Sequence, residues 1–419
     1  MIDVSDTILI GAYFFLMFLS IFWLLVLFAG EPEKPKAKLK KYPSFTAIIP
    51  AYNEEETIQG TLQSLAELDY PAELMQIIVV NDGSTDRTKE KVEAFMQNHL
   101  GLAITLVNQP NRGKGNALNA ALQHTTGEFY ACLDADSFVY PRALKEMLPY
   151  FADAEVAAVC PLLKVKNPDS ILRKVQWHEY LINMFYKFLN AKLDCIHVTP
   201  GPFSVYRTSI VKALGGYDEK TLTEDLEIAI RLQKHQYKII QTFDAVVETV
   251  APDTWRALFS QRIRWYKGSI DNAISYRKLM FNKAYGDFGF LRMPTIIITG
   301  AVALILIVTI MQDTLSKLGQ KIVAYADINF DIITLLRNFR FEFNFLSLPF
   351  FKIFVAMVVL SLSFYVMIKS YHVVKEKITH YGRTWISLLT YLFIYSIFIS
   401  FVWLYIAFLF LTGKKKTWQ

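Results

Sequence analysis

Residues 8–29, ILIGAYFFLMFLSIFWLLVLFA, run for 22 positions without a charged side chain. A helix rises about 1.5 Å per residue, so about 20 apolar residues cross a hydrocarbon core of about 30 Å. A cleaved leader is the competing reading. The run is too long for one, no basic residue precedes it, and no small-x-small cleavage site follows. Three more apolar segments lie near the C-terminus, at 294–311, 346–368 and 385–411. The first is short and opens at Pro294. The second carries Lys352 near one end, where a lysine can snorkel, and the third is long enough to tilt. The sequence thus predicts an N-terminal transmembrane helix (1–30), a basic linker (31–41), a water-facing α/β domain (42–253), amphipathic interface helices (254–290) and a C-terminal membrane region (291–419).

The linker EPEKPKAKLKK places five lysines directly after the first span, whereas the segment before it has Asp3 and Asp6 and no Lys or Arg. Lysine beside a span marks the cytoplasmic side. The N-terminus is therefore expected outside and residues 42–290 in the cytoplasm. Four full spans would return Lys414, Lys415 and Lys416 to the outside, against that tendency, so either the rule is broken there or one apolar segment is re-entrant or interfacial. Hydrophobic residues make up 53% of the chain and charged residues 20%, which excludes a disordered chain. A net charge of +6 does not call for nucleic acid. Cys132, Cys160 and Cys195 are odd in number and lack CxxC spacing, which speaks against a disulfide framework or a structural zinc site.

Between the spans, short apolar runs alternate with helical segments. FTAII (45–49), IIVV (77–80), AITLV (103–107) and EFYACLD (128–134) read as strands. Helices are expected from Thr57 to Leu68, from a Thr85 cap to Gln97, and from Gly113 to His124. The pattern predicts a mostly parallel sheet covered on both faces, with ligands at the carboxyl ends of its strands.

Four of those strand ends carry polar loops: Pro50-Ala51-Tyr52-Asn53-Glu54-Glu55-Glu56, Asn81-Asp82-Gly83-Ser84-Thr85-Asp86, Asn111-Arg112-Gly113-Lys114-Gly115-Asn116 and Asp134-Ala135-Asp136-Ser137. Each alone is ordinary loop chemistry. Together, at one sheet edge, they suit a nucleoside diphosphate. A carboxylate such as Asp82 can accept from a base N–H. Gly113-Lys114-Gly115 opens a helix, where free N–H groups and a lysine favour phosphate. Asp134 and Asp136 are two carboxylates able to hold Mg²⁺ or Mn²⁺.

The series PAYNEEE, VVNDGSTD, NRGKGNAL, LDADS, LTEDLE (222–227) and QRIRW (261–265) resembles the family 2, inverting GT-A glycosyltransferases. Within that family it is similar to the membrane-embedded processive polysaccharide synthases. The size and span layout look most like the bacterial poly-β-1,6-N-acetylglucosamine synthases, with chitin and hyaluronan synthases as relatives. No FxVTxK motif follows QRIRW, which argues against a cellulose synthase.

The resemblance implies a Rossmann-like GT-A domain in which Tyr52, Glu54 and Asp82 hold uridine. Lys114 and Asp134 would hold the ribose and diphosphate side, and Asp136 the metal. Asp225 of Thr223-Glu224-Asp225 would be the general base. Glu224, Gln261, Arg264 and Trp265 would line the acceptor and pyrophosphate, with the tryptophan stacked on the terminal acceptor sugar. The implied reaction is transfer from a UDP-sugar, UDP-N-acetylglucosamine above all, to a growing β-linked polysaccharide. Addition of a single sugar to a membrane lipid is the alternative. The sequence does not specify a partner subunit, a small membrane or export protein included.

Residues 254–276 look amphipathic, with Trp255, Leu258, Phe259 and Tyr266 able to share one face that rests on anionic lipid. Gly201-Pro202-Phe203-Ser204-Val205-Tyr206-Arg207 divides evenly between a turn and a segment flanking the pockets. Trp177, His178 and Glu179 read as satisfied packing residues, and Cys132 as buried packing.

Overall fold

The computed structural model describes residues 4–29, 41–327, 350–382 and 384–413. The chain separates into two compact units. One comprises residues 1–28 with 298–369, the other residues 29–297 with 370–419.

The second unit is built on an eight-stranded sheet. In chain order its elements are β1 (Phe45–Ala51), α2 (Ile58–Ala66), β2 (Met75–Asp82), α3 (Thr88–Asn98), β3 (Ala103–Gln109), α4 (Lys114–His124), β4 (Phe129–Cys132), β5 (Ser137–Val139), α5 (Ala143–Met147), β6 (Val156–Val165), α6 (Ile171–Lys192), β7 (Ser204–Arg207), α7 (Thr208–Ala213), α8 (Glu224–Lys234), β8 (Lys238–Thr249) and α9 (Trp255–Ser275), with α1 (Val4–Phe28) preceding them in the first unit. The strand order is β3-β2-β1-β4-β7-β6-β8-β5. Strands β3, β2, β1 and β4 run parallel, as does the β6–β8 pair. The β4–β7, β6–β7 and β5–β8 pairs are antiparallel. The sheet is thus more mixed than the sequence suggests, because the apolar runs of β6, β7 and β8 carry no mark of direction.

The chain winds from β1 outward through β2 to β3 and then returns to the other side of β1 as β4. That reversal opens a crevice at the carboxyl end of β1, the place where such sheets bind ligands. The β4–β7 pairing sets Cys132 opposite Ser204, so the segment entering β7 arrives at this same edge.

Burial explains why these runs are strands. Ile48, Ile49 and Ile77 to Val80 are fully buried, as expected for strands covered on both faces. Leu118, Ala121 and Leu122 of α4 and Ile228 and Leu232 of α8 pack with Ile48, Ile78 and Tyr130 in one cluster. Helix α3 begins two residues later than expected, with Arg87 in place of Thr85 at its N-cap position. Thr85 does not cap it: its N–H donates to Asn53, while the Asp86 carboxylate accepts the Thr88 N–H.

Four helices are long and apolar enough to cross a membrane: Ile10–Phe28, Phe288–Asp327, Ile353–Val373 and Thr384–Thr412. The segment expected to be short, 294–311, lies inside a helix running from Met293 to Asp327. The last span holds a π-helical stretch, Thr390–Tyr395, between two α-helical parts. In the first unit the Phe14 and Phe351 rings lie 6.4 Å apart. The linker lysines before Lys41, and Lys414 to Lys416, fall outside the described residues.

Candidate active site

The loops after β1 and β2 are fastened to each other. Asn53 takes a left-handed backbone (φ 55°), and its side-chain oxygen accepts from the Thr85 N–H at 2.8 Å. The N–H of Glu54 donates to Thr88 Oγ1, that of Glu55 to Asp86, and that of Arg87 to Glu55. Ordinary loop chemistry therefore accounts for Asn53, Glu55 and Asp86. Asp82 is also engaged. Its carboxylate accepts from Gln109 Nε2 at 2.7 Å and from the N–H groups of Arg112 at 3.0 Å and Gly113 at 2.9 Å. It thereby holds the glycine loop that starts α4. Gly83 permits this closeness: with φ 75°, a Cβ there would meet the Asn111 nitrogen at 2.6 Å.

Lys114, the first residue of α4, crosses the crevice. Its Nζ lies 2.6 Å from Asp134 Oδ1, past the end of β4, and 2.8 Å from Glu224 Oε1, at the start of α8. Asp134, Glu224 and Asp225 hold this lysine protonated, well above the ordinary range, despite its burial. Gly201 completes the enclosure. A Cβ on it would sit 2.9 Å from both Asp134 Oδ2 and Lys114 Nζ. Gly201 therefore flanks the site, while Ser204 to Arg207 run away from it along β4 to Phe129.

Asp225 follows Glu224 in the first turn of α8. Burial raises its carboxyl from 3.8 to about 6; Glu224 and Asp134 add to the rise, and Lys114 and Arg264 oppose it. Its backbone carbonyl accepts from both the N–H and the hydroxyl of Thr199, which fixes the turn. A carboxylate with its pKa near the working pH, beside two cations, is chemically suited to take a proton.

The opposite wall is acidic. Burial raises Glu54 to about 7, with Asp136, Asp134 and Asp86 adding to it, although its bond from the Thr57 hydroxyl lowers it. Burial and Asp134 likewise raise Asp136 to about 6. Glu54, Asp134, Asp136, Glu224 and Asp225 thus face a site whose identified cations are Lys114 and Arg264. The uncompensated charge fits a divalent cation. Among the described residues no group of three or more His, Cys, Asp or Glu is placed to hold a metal ion by itself. Magnesium-type sites commonly use one or two carboxylates, with substrate phosphates and water supplying the rest.

Helix α9 brings QRIRW beside α8. Gly268 makes the contact possible, since a Cβ there would meet the Thr223 hydroxyl at 2.6 Å. Gln261, Arg264 and Trp265 are partly exposed, whereas Arg262 is fully buried. Most of the apolar face expected to rest on lipid is instead covered by protein, while Trp255 stays 43% exposed. Leu258 packs with Leu172, Val175 and Tyr395, and Phe259, Ile263 and Tyr266 pack with Val402, Ile406 and Leu409 of the last span.

The glycosyl transferase family 2 model matches residues 46–215, and the glycosyl transferase family group 2 model matches residues 131–412, well over half of the 419 residues. The chain belongs to glycosyl transferase family group 2. Two curated relatives of this glycosyltransferase are poly-beta-1,6-N-acetyl-D-glucosamine synthases. That from Staphylococcus epidermidis is 32% identical over 266 residues, and that from Staphylococcus aureus strain COL is 32% identical over 267. Each alignment covers 61% of this chain and 64% of the relative, so the chain spans less than two thirds of the relatives' length. A solved mannosyltransferase from Pyrobaculum calidifontis, in complex with GDP-Man and Mn²⁺, superposes with a TM-score of 0.61 over 86% of this chain and 96% of its own, at 21% identity. The fold of the glycosyltransferase is accordingly GT-A, as the motif order implies.

The sequence-predicted residues are not all equivalent within it. Lys114, Asp134 and Glu224 meet directly, and Glu54, Asp136, Asp225 and Arg264 interact electrostatically with members of that group. Tyr52 is 42% exposed, whereas Asp82 is buried beneath the loop it holds. Sequence reasoning missed the partner of Arg262, which is Glu179 on α6. A glutamate in the middle of a helix gives no signal of a contact 83 residues away.

Proposed function

We propose that this glycosyltransferase moves a sugar, with inversion, from a UDP-sugar to a growing β-linked polysaccharide and passes the polymer through its own spans. N-acetylglucosamine is the proposed sugar, in keeping with the names of the relatives. The observation that carries the reading is the constellation of Asp225, Glu224, Lys114 and Asp134 in one crevice, joined through Gly268 to the QRIRW helix. Asp225 takes the acceptor hydroxyl proton. Inversion is a single displacement and needs no second catalytic carboxylate. Lys114 and Arg264 would neutralise the negative charge that develops on the leaving diphosphate. Asp136 and Asp134 would hold Mg²⁺ or Mn²⁺, which would supply further charge neutralisation there. Tyr52 and Glu54 border the base-binding side, and Asp82 serves it by shaping the 109–113 loop.

The four apolar helices fit a multi-pass protein of the cell membrane. The lysines of the linker favour a cytoplasmic catalytic domain, where UDP-sugars are made. The test is to supply radiolabelled UDP-N-acetylglucosamine to the purified protein in lipid and size the product. High-molecular-weight material cut by a matching glycosidase is expected. Label found only in an organic-extractable lipid bearing one sugar would overturn processive synthesis in favour of single addition.

A further inference from the structure

We propose that Arg262, backed by Glu179, is a positioning residue that orients the Gln261 amide and the Trp265 ring toward the acceptor. The inference rests on the acceptor role proposed above for those two groups.

Arg262 is fully buried and among the largest buried side chains of the protein. Its guanidinium reaches three segments. Nη2 donates to the Glu179 carboxylate on α6, Nε donates to Tyr395 Oη at 3.0 Å, and Nη1 donates to Gln261 Oε1 at 2.5 Å. Its Cζ lies 4.1 Å from the centroid of the Trp265 ring. Tyr395 ends the π-helical stretch of the last span, and such stretches re-aim side chains near functional sites.

Two consequences follow from this geometry. The bond from Arg262 to its oxygen fixes which way the Gln261 amide lies, and the N–H₂ donors have no hydrogen bond among the described residues. The amide would then recognise an oxygen of the acceptor, a hydroxyl or the carbonyl of an acetamido group. The Trp265 ring has a cation against it and remains partly exposed, which leaves ring surface for the C–H face of a pyranose. A planar guanidinium holds both at once through its forked donors and its stacking face, which an ammonium lacks. Stability does not account for the arrangement, because a buried ion pair exchanged for packed apolar residues is often neutral or stabilising.

That last point supplies the test. The double variant Glu179→Met with Arg262→Met removes both charges together, and Arg262→Lys keeps one charge without the fork. UDP affinity, and kcat and KM for the donor and for a soluble β-linked N-acetylglucosamine oligosaccharide, are measured for each in lipid. The double variant is expected to bind UDP within about twofold of wild type, while its acceptor KM rises roughly tenfold or more and its product shortens. Arg262→Lys is expected not to rescue acceptor use. Wild-type acceptor KM and product length in the double variant would overturn the inference and leave a purely structural pair. A wild type that elongates no oligosaccharide would sink the acceptor reading, and this inference with it. Should the double variant fail to bind UDP, Tyr395→Phe, which removes one hydroxyl, is read by the same split: a selective rise in acceptor KM supports the inference and none overturns it.

Discussion

Glu224, the first residue of α8, meets Lys114, the first residue of α4, at 2.8 Å. The carboxylate suits the positive end of its helix, and the ammonium does not suit its own. Lys114 is kept there by Glu224 and by Asp134 at 2.6 Å. The crevice thus holds a protonated lysine among carboxylates whose place the proposed diphosphate would take. The lysine is charged and oriented before the donor arrives, which limits reorganisation during reaction.

Asp225→Asn is expected to reduce kcat by about 10²–10⁴-fold while leaving UDP affinity nearly unchanged, because the lost group is the one proposed to act on the acceptor proton. It should also stabilise the protein. Burial raises the folded-state pKa of Asp225 from 3.8 to about 6, so its ionised form costs stability at neutral pH. The gain, on the order of 1 kcal/mol or more, is expected in full above pH about 6 and gone near pH 4. Thermal melts at both pH values, run beside turnover and UDP binding, check this. Wild-type turnover in the variant would remove Asp225 from the mechanism.

The same shift sets the pH profile. A general base must be ionised, so kcat at saturating donor should fall about tenfold per unit on the acid side of the pKa that Asp225 has with donor bound, burial raising it there as in the free protein. Glu54, raised to about 7, and Asp136, raised to about 6, are proposed members of the donor site in the free enzyme. They should therefore bend kcat/KM for the donor at a higher pH than kcat. Coincident profiles would argue that a single group governs both.

Gly201→Ala should weaken donor binding without unfolding the domain. The added Cβ would lie 2.9 Å from Lys114 Nζ and from Asp134 Oδ2, and both are side-chain ends that can shift. Displacing them disturbs the groups proposed to receive the diphosphate. Donor KM is expected to rise roughly tenfold, since misplacement of about 1 Å can cost up to 10²-fold. Isothermal titration with UDP and a melt of the same preparation separate this from misfolding. Unchanged affinity would place Gly201 outside the donor pocket.

The parallel half of the sheet was legible because β1 and β2 are unbroken apolar runs, a pattern produced by burial on both faces. The polar loops at their ends were equally legible as a group. What the residues did not disclose is which polar groups serve the fold. Asn53, Glu55 and Asp86 lie in loops that read singly as ordinary loop chemistry, and their hydrogen bonds do fasten one loop to another, while the candidate Asp82 also holds the Gly113 N–H. The apolar face of α9 was visible, but not its cover. Periodicity reports that Phe259 and Tyr266 share a side, and lipid and another helix reward that side alike. Glu179 was read as packing, which it is, and nothing near it in sequence points to Arg262.

Removal of the divalent cation should abolish transfer, and Asp136→Asn should weaken its binding. Burial and Asp134 hold Asp136 in its protonated form more readily than an exposed carboxyl, and Glu54 is raised further still. A dication placed among these groups favours their ionised forms, so binding should release protons and tighten as pH rises from 6 to 8. Mn²⁺ reports this directly. Its electron paramagnetic resonance signal, titrated with protein and UDP, should show a bound ion in wild type and a weaker one in Asp136→Asn. The protein has no complete cage of its own among the described residues, so binding should depend strongly on UDP, whose phosphate oxygens complete the coordination. Tight Mn²⁺ binding without UDP would contradict that division of ligands. Full turnover in excess chelator would take the cation out of the mechanism altogether and leave Lys114 and Arg264 to neutralise the leaving group alone.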